Sequence, residues 1–298
     1  MRFSKLHSCG NDYIYINNII EKVNNTEKSR LAVNLSNRHF GIGGDGLIFI
    51  EASEKADFRM EMYNQDGSSS EICGNGIRCM GKYLYDHKMA EDNLMTIESG
   101  GKIYHLELNL VGGVVISIRV DMGAPELTAK KIPVKSKNAW CTNEAIDING
   151  EEYRMTCVSM GNPHAVVVYP DLDELEIEYL GPLFENHERF PKRTNVEFIQ
   201  IIDRKTVRMR VWERGCGETL ACGSGSCAVL VACVLNSLTD DEITIHLPGG
   251  EVIVYWDRQD KKRIYLTGSA HTVFEGEITK QSIHVIDQLL ENLKDKVQ

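Results

Sequence analysis

No run of apolar residues in this sequence approaches the length that spans a bilayer. The first residues, Met1-Arg2-Phe3-Ser4-Lys5-Leu6-His7, carry no apolar stretch of the kind a secretory signal needs. Together these absences exclude a helical membrane protein and predict a cytoplasmic one. Positive charge is also short: 33 Lys and Arg stand against 43 Asp and Glu, for a net charge of −10, and the basic residues are scattered. A nucleic-acid partner needs a basic stripe, so none is expected. The nine cysteines contain no Cys-x-x-Cys pair. The spacings from Cys73 to Cys79, Cys216 to Cys222, Cys222 to Cys227 and Cys227 to Cys233 do not match structural zinc ligation, so no metal is expected. An odd cysteine count without a signal argues for reduced thiols rather than a disulfide framework. What remains is a chain of 298 residues, 42% hydrophobic and 26% charged, with room for one large domain or two ordinary ones.

The sequence repeats itself. Arg59-Met60-Glu61-Met62-Tyr63-Asn64 resembles Arg208-Met209-Arg210-Val211-Trp212-Glu213, 149 positions later. At the same offset Phe49-Ile50 falls on Phe198-Ile199, Cys73-Gly74-Asn75-Gly76 on Cys222-Gly223-Ser224-Gly225, and Gly100-Gly101 on Gly249-Gly250. Nearer the two starts, Ser8-Cys9-Gly10-Asn11 matches Ser159-Met160-Gly161-Asn162, 151 positions on. Matches in one register over so long a span indicate two homologous halves.

Residues 12–17, 46–50, 58–63, 104–109 and 114–120 read as strands in the first half. Residues 164–168, 196–201, 206–212, 242–246, 252–256 and 263–267 do so in the second, being rich in Val, Ile and aromatics and bounded by turn formers. Helices are expected over 28–38, 76–87 and 224–236, the last two opening just after a Cys-Gly-x-Gly turn. Strands with one central helix per half define an α+β protein of two pseudo-symmetric domains with a cleft between them. The division expected is residues 1–121, joined by about 268–298, for the half carrying Cys73, and residues 122–267 for the half carrying Cys222; Gly123 and Pro125 interrupt the pattern near the junction. In the tail, Ile283, Ile286, Leu289, Leu290 and Leu293 at helical spacing predict a helix that packs on the body or meets a second copy.

The paired Cys-Gly-x-Gly loops carry the chemistry. Each sets a cysteine at the mouth of a helix, where free N–H groups and the helix dipole favour negative charge. Such a position is expected to lower a thiol's pKa and to bind a carboxylate. Two sulfurs flanking one α-carbon form a two-base device: one thiolate takes the α-proton while the opposing thiol delivers one to the other face, inverting the stereocentre. Cys79, Cys227, Cys233, Cys141 and Cys157 read as core, and Cys9 and Cys216 as neighbours of the site loops.

With these residues in hand, the sequence from Phe3 to about Ile278 resembles the diaminopimelate epimerase family. The likeness rests on His7-Ser8-Cys9-Gly10-Asn11-Asp12, Gly41-Ile42-Gly43-Gly44-Asp45-Gly46, Asn64-Gln65-Asp66-Gly67-Ser68, Cys73-Gly74-Asn75-Gly76-Ile77-Arg78-Cys79, Met160-Gly161-Asn162-Pro163-His164, Glu213-Arg214-Gly215-Cys216-Gly217-Glu218-Thr219, Ala221-Cys222-Gly223-Ser224-Gly225 and Leu247-Pro248-Gly249-Gly250. The resemblance implies domains each built as a curved, mostly antiparallel sheet or barrel around a central helix, with the active site in the cleft. It implies inversion of LL-diaminopimelate to the meso form, in lysine and peptidoglycan precursor biosynthesis, without pyridoxal phosphate or any other cofactor or metal, by a homodimer. It assigns Cys73 and Cys222 as the acid/base pair and Asn11, Asn64, Gly74, Asn75, Asn162, Asn195, Glu213, Arg214, Gly223 and Ser224 as substrate contacts. Gly74, Asn75, Gly223 and Ser224 suit N–H donors, Arg214 a distal carboxylate, and Glu213 with the asparagines the ammonium groups. His164 and Glu213 are further expected to tune the thiols.

The chain departs from the family pattern at Ser8-Cys9-Gly10-Asn11-Asp12-Tyr13, at Gly46, where some members carry Gln, at Cys216, where a small apolar residue is common, and in the tail beyond Ile278. The competing readings are another racemase of the same fold acting on proline, hydroxyproline or histidine; a non-catalytic amino-acid binder; and a thiol redox protein. Glu213 and Arg214 with Asn64 and Asn195 favour a substrate with a distal carboxylate and amine.

Overall fold

The repeat in the sequence is a repeat of topology. The computed structural model describes residues 1–70, 74–259 and 262–297. The chain divides into two compact units, Met1–Ile118 with Ser269–Gln298, and Arg119–Gly268. The first runs β1 (Arg2–Ser8), β2 (Asn11–Asn17), α1 (Asn18–Glu21), α2 (Asn25–Ser36), β3 (Gly46–Glu51), β4 (Phe58–Asn64), β5 (Ser69–Ser70), α3 (Gly74–Asp86), β6 (Leu94–Ser99) and β7 (Lys102–Val111). After β8 (Val114–Gly123) the second runs β9 (Glu144–Ile148), β10 (Glu151–Ser159), β11 (Pro163–Val168), α4 (Ile177–Glu185), β12 (Asn195–Ile201), β13 (Thr206–Glu213), β14 (Gly217–Thr219), α5 (Gly223–Leu235), β15 (Glu242–Leu247), β16 (Gly250–Asp257) and β17 (Arg263–Gly268). The chain then returns to the first unit with β18 (His271–Glu277), antiparallel to β1, and α6 (Lys280–Val297).

Strand for strand, the pairings agree. β1 pairs antiparallel with β2, β2 parallel with β3, β3 antiparallel with β4, β4 antiparallel with β5 and parallel with β6, and β6 antiparallel with β7. In the second unit the same sequence of pairings joins β10, β11, β12, β13, β14, β15 and β16. Parallel neighbours need a crossover. α2 and α4 supply it between β2 and β3 and between β11 and β12; α3 and α5 supply it between β4 and β6 and between β13 and β15. Both ends of α5 lie 149 positions beyond those of α3.

α3 and α5 are central because their sequences are. Eleven of the thirteen residues of α5 are buried, on every side of the helix, which is the signature of a helix enclosed by sheet. α3 buries nine of thirteen, among them the fully buried Arg78. The unit-one core gathers Ile14, Ile16, Leu31, Leu35, Leu47 and Phe49, and the tail helix closes it through Ile283, Ile286 and Leu290. The tail stripe is therefore covered by the body at these three positions, while Leu289 and Leu293 stay exposed. The unit-two core packs Phe184 edge-on against Phe198 and Tyr153.

Three helices depart from the sequence expectation, the first being the one-turn α1, which the pattern did not reveal. α2 begins at Asn25 and stops at Ser36, three and two residues before the limits read from the pattern. α4 was not foreseen, because Gly181 and Pro182 inside it read as breakers. The glycine is a packing requirement: a Cβ at Gly181 would sit 2.4 Å from the ring of Trp212.

Candidate active site

In the second unit, β13 ends at Glu213, a tight turn through Gly215 and Gly217 at positive φ returns the chain, and α5 starts at Gly223 with Cys222 as its N-cap. Cys222 has extended backbone (φ −130°, ψ 112°), so its sulfur stands at the helix mouth while its carbonyl accepts the first helical N–H, from Ser226 at 2.9 Å. Cys222 is buried, and its Sγ lies 3.6 Å from Ser224 Oγ. The helix mouth was expected to lower this thiol's pKa. The structure reverses that: burial first, then the carboxylates of Glu213 and Glu197, push the Cys222 thiol well above its ordinary range, against hydrogen bonds from Ser224 and the Gly225 N–H. Two nearby acids in a dry setting outweigh the donors of one helix end.

The other unit-two residues converge here. Glu213 accepts from Thr219 Oγ1 at 2.5 Å. His164, fully buried, places Nδ1 2.7 Å from Glu197 Oε1 and Nε2 3.0 Å from Asn162 Oδ1. Asn195 sits opposite His164 in the parallel β11–β12 pair. Both ends of its amide are engaged within the protein: Nδ2 donates to the Pro163 carbonyl at 2.8 Å, and Oδ1 accepts from the Arg214 N–H at 2.9 Å. Arg214 Nη1 donates to the Lys192 carbonyl at 3.2 Å.

Cys73 lies outside the described residues; Gly74 and Asn75, which follow it, open α3. Asn75 Nδ2 donates to Asn11 Oδ1 at 3.3 Å, and Asn11 Nδ2 to Asp45 Oδ2 at 2.6 Å. Arg78 fastens this end of the helix by donating to Asn75 Oδ1 and Ser8 Oγ, both at 2.7 Å, and to the Gly74 carbonyl at 3.1 Å. Asn64, at the end of β4, donates to Ser68 Oγ at 2.9 Å and pairs with Gly46 across the strands. A Cβ at Gly46 would lie 2.3 Å from the Tyr63 carbonyl, so no side chain reaches out from that position. Glu197, Arg78 and Asp45 had no role in the sequence reading, although Arg78 and Asp45 stand within its motifs. For Glu197 the available signal was one acid within the buried run 195–199, which demands a partner.

Of the remaining cysteines, Cys79, Cys141, Cys157, Cys227 and Cys233 are core, Cys9 is buried and Cys216 exposed. No group of His, Cys, Asp and Glu among the described residues is arranged to hold a metal ion, and no helix among them is long and apolar enough to cross a membrane. Burial pushes the Cys233 thiol up to about 12, and the neighbouring Cys141 together with burial raises Cys157. With Cys222, these thiols keep their protons in the folded chain beyond the unfolded value of about 8.5. Unfolding above that pH therefore releases protons, so stability is full below about pH 8 and falls as pH rises past about 9. Urea midpoints measured under reductant from pH 7 to pH 10 should drop over the upper half of that range; a constant midpoint would contradict the assignment.

The same arrangement of strands and central helices is found in known proteins. The chain superposes on a phenazine biosynthesis protein of the PhzF family from Bacillus anthracis with a TM-score of 0.70 at 19% identity, covering 94% of this chain and 99% of that one. It superposes on a probable proline racemase from Agrobacterium radiobacter with a TM-score of 0.69 at 13% identity, covering 94% and 93%. This is a duplicated α+β fold shared across distant sequences. Within it, residues 3–128 and 156–273 match the diaminopimelate epimerase family model. The diaminopimelate epimerase of Methanococcus maripaludis is 51% identical over 278 residues, 93% of this chain and 99% of that protein; that of Acetivibrio thermocellus is 50% identical over 93% and 98%. The chain belongs to the diaminopimelate epimerase family.

Proposed function

We propose that the protein epimerises LL-2,6-diaminopimelate to the meso form by proton transfer between Cys73 and Cys222, without pyridoxal phosphate or metal. The observation that carries this reading is identity near one half with diaminopimelate epimerases along almost the whole chain. Cys222 at the mouth of α5 supports the mechanism.

The electrostatics of the second unit divide the roles. A thiol held protonated by burial and two carboxylates is an acid at rest. Cys222 is then the proton donor and Cys73 the base for LL-diaminopimelate. The Cys73 thiolate takes the α-proton, Cys222 delivers its own to the opposite face, and the enzyme is left with Cys73 as thiol and Cys222 as thiolate, set for the reverse direction. The N–H groups of Gly74, Asn75, Gly223 and Ser224 at the two helix mouths bind the α-carboxylate and stabilise the carbanion as charge builds on it. Arg214 suits the distal carboxylate, and Glu213, Asn11, Asn64 and Asn162 the amino groups. Asn195 contributes mainly by holding Pro163 and Arg214 in place.

The same reading makes the protein a cytoplasmic homodimer serving lysine and peptidoglycan precursor synthesis. Its test is incubation with LL-diaminopimelate in D₂O under reductant, beside proline and histidine. We expect meso product with one deuteron gained at the inverted carbon. Turnover of proline or histidine with none of diaminopimelate would overturn it.

A further inference from the structure

One charged group beside Cys222 neither takes nor gives a proton in the transfer just described. Glu197 lies in β12, fully buried, between Val196 and Phe198 of the apolar core. Alternation along the strand turns it to the other face, where α5 presses against it: a Cβ at Gly225 would sit 2.6 Å from Glu197 Oε1. Oε1 accepts from His164 Nδ1 at 2.7 Å, and Oε2 has no hydrogen-bond partner among the described residues. A carboxylate placed away from water with one oxygen unused costs stability, so its retention calls for another purpose. The titratable groups facing it are His164 from β11 and Cys222 from the mouth of α5; Glu213, from the end of β13, acts on the same thiol.

We propose that Glu197 is a positioning residue that, through His164, holds the Asn162 side chain in place for the substrate. The proposal rests on the epimerase reading above. His164 faces oxygen at both ring nitrogens, Glu197 Oε1 and Asn162 Oδ1. The Glu197 carboxylate accepts from the Nδ1–H and fixes the plane of the ring, and the far edge of the ring then holds the Asn162 amide in place. Without the carboxylate the ring loses its buried anchor and Asn162 its fixed position. Asn11, at the equivalent repeat position, is likewise held by a carboxylate, donating to Asp45 Oδ2 at 2.6 Å. In both units a carboxylate thus holds the asparagine, directly for Asn11 and through His164 for Asn162.

The test combines Glu197→Gln, which keeps the shape, with Asn162→Ala and the double variant. Misorienting one substrate group is expected to lower kcat/KM of Glu197→Gln by about 10- to 100-fold, mostly through KM. In KM the double variant should be no worse than Asn162→Ala, because Glu197 acts on substrate placement through Asn162; its charge acts on Cys222 separately, in kcat. Independently of substrate, proton spectra of ¹⁵N-histidine-labelled protein should show the His164 Nδ1–H as a slowly exchanging, far-downfield signal in the wild type that moves upfield or vanishes in Glu197→Gln. KM increases that multiply in the double variant, a Glu197→Gln enzyme with KM within twofold of wild type, or no such His164 signal in the wild type would each overturn the proposal. A wild type inactive on diaminopimelate would sink the functional reading alone, and the ring spectra would still decide this one.

Discussion

Cys222→Ser and Cys73→Ser are each expected to lower epimerisation by about 10²- to 10⁴-fold or more while leaving the fold intact. A serine hydroxyl neither holds a negative charge near neutral pH nor gives up its proton as readily as a thiol, so the substituted position loses its general acid–base contribution. In the proposed mechanism each turnover uses one sulfur as base and the other as acid. Either single change is then expected to stop inversion, and the double variant to be little worse than either single one, as found for residues that act as a unit. The variants separate in isotope exchange. With Cys222 replaced, Cys73 can still take an α-proton from the isomer that presents it and return a solvent deuteron to the same face, giving exchange without inversion. Proton NMR in D₂O with chiral separation of the isomers measures both, and circular dichroism checks the fold. Inversion near the wild-type rate in either variant would contradict the mechanism.

The duplication was legible because it is written in register. Cys73 and Cys222, and Phe49 and Phe198, share one offset, and α3 and α5 share it at both ends. The helix mouths were legible from the glycines after each cysteine. α4 was not, since Gly181 and Pro182 signal a break unless the approach of Trp212 is known. The direction of the Cys222 shift was hidden for a related reason. It depends first on burial, then on Glu213, brought by β13, and on Glu197, 25 positions earlier, brought to the thiol by β12. Neither charge is local to the Cys-Gly-x-Gly motif. The repeat even suggests the opposite, because the equivalents of Glu197 and Glu213 in the first unit are Ile48 and Asn64, both uncharged, while Arg78 corresponds to the neutral Cys227. The two halves kept their backbone and exchanged their charges, so backbone pattern predicts where the thiols sit but not which one keeps its proton.

The largest expected loss of stability lies far from the cysteines, at Lys28. Its side chain is 1% exposed in the first turn of α2, with Nζ 2.5 Å from Glu51 Oε1 and 2.6 Å from Glu61 Oε2, and 5.2 Å from the centroid of Phe49. The two carboxylates close β3 and occupy β4, so this one ammonium ties the helix to both strands. Lys28→Met keeps the apolar stem and removes the charge, leaving two acids, 13% and 25% exposed, against each other. Removing one partner from a buried ionic cluster costs about 3–5 kcal/mol. Glu51 keeps a hydrogen bond from Asn18 and Glu61 a contact with Arg59, which places the expected loss near the lower end, about 3 kcal/mol. The origin of the loss is testable apart from its size. If stranded carboxylates cause it, adding Glu51→Gln and Glu61→Gln to Lys28→Met should restore most of the stability. Urea unfolding of the three proteins at pH 7 measures both the loss and its recovery. A loss under about 1 kcal/mol for Lys28→Met, or a triple variant no more stable than the single one, would show that apolar packing of the stem, not the ion cluster, joins α2 to the sheet.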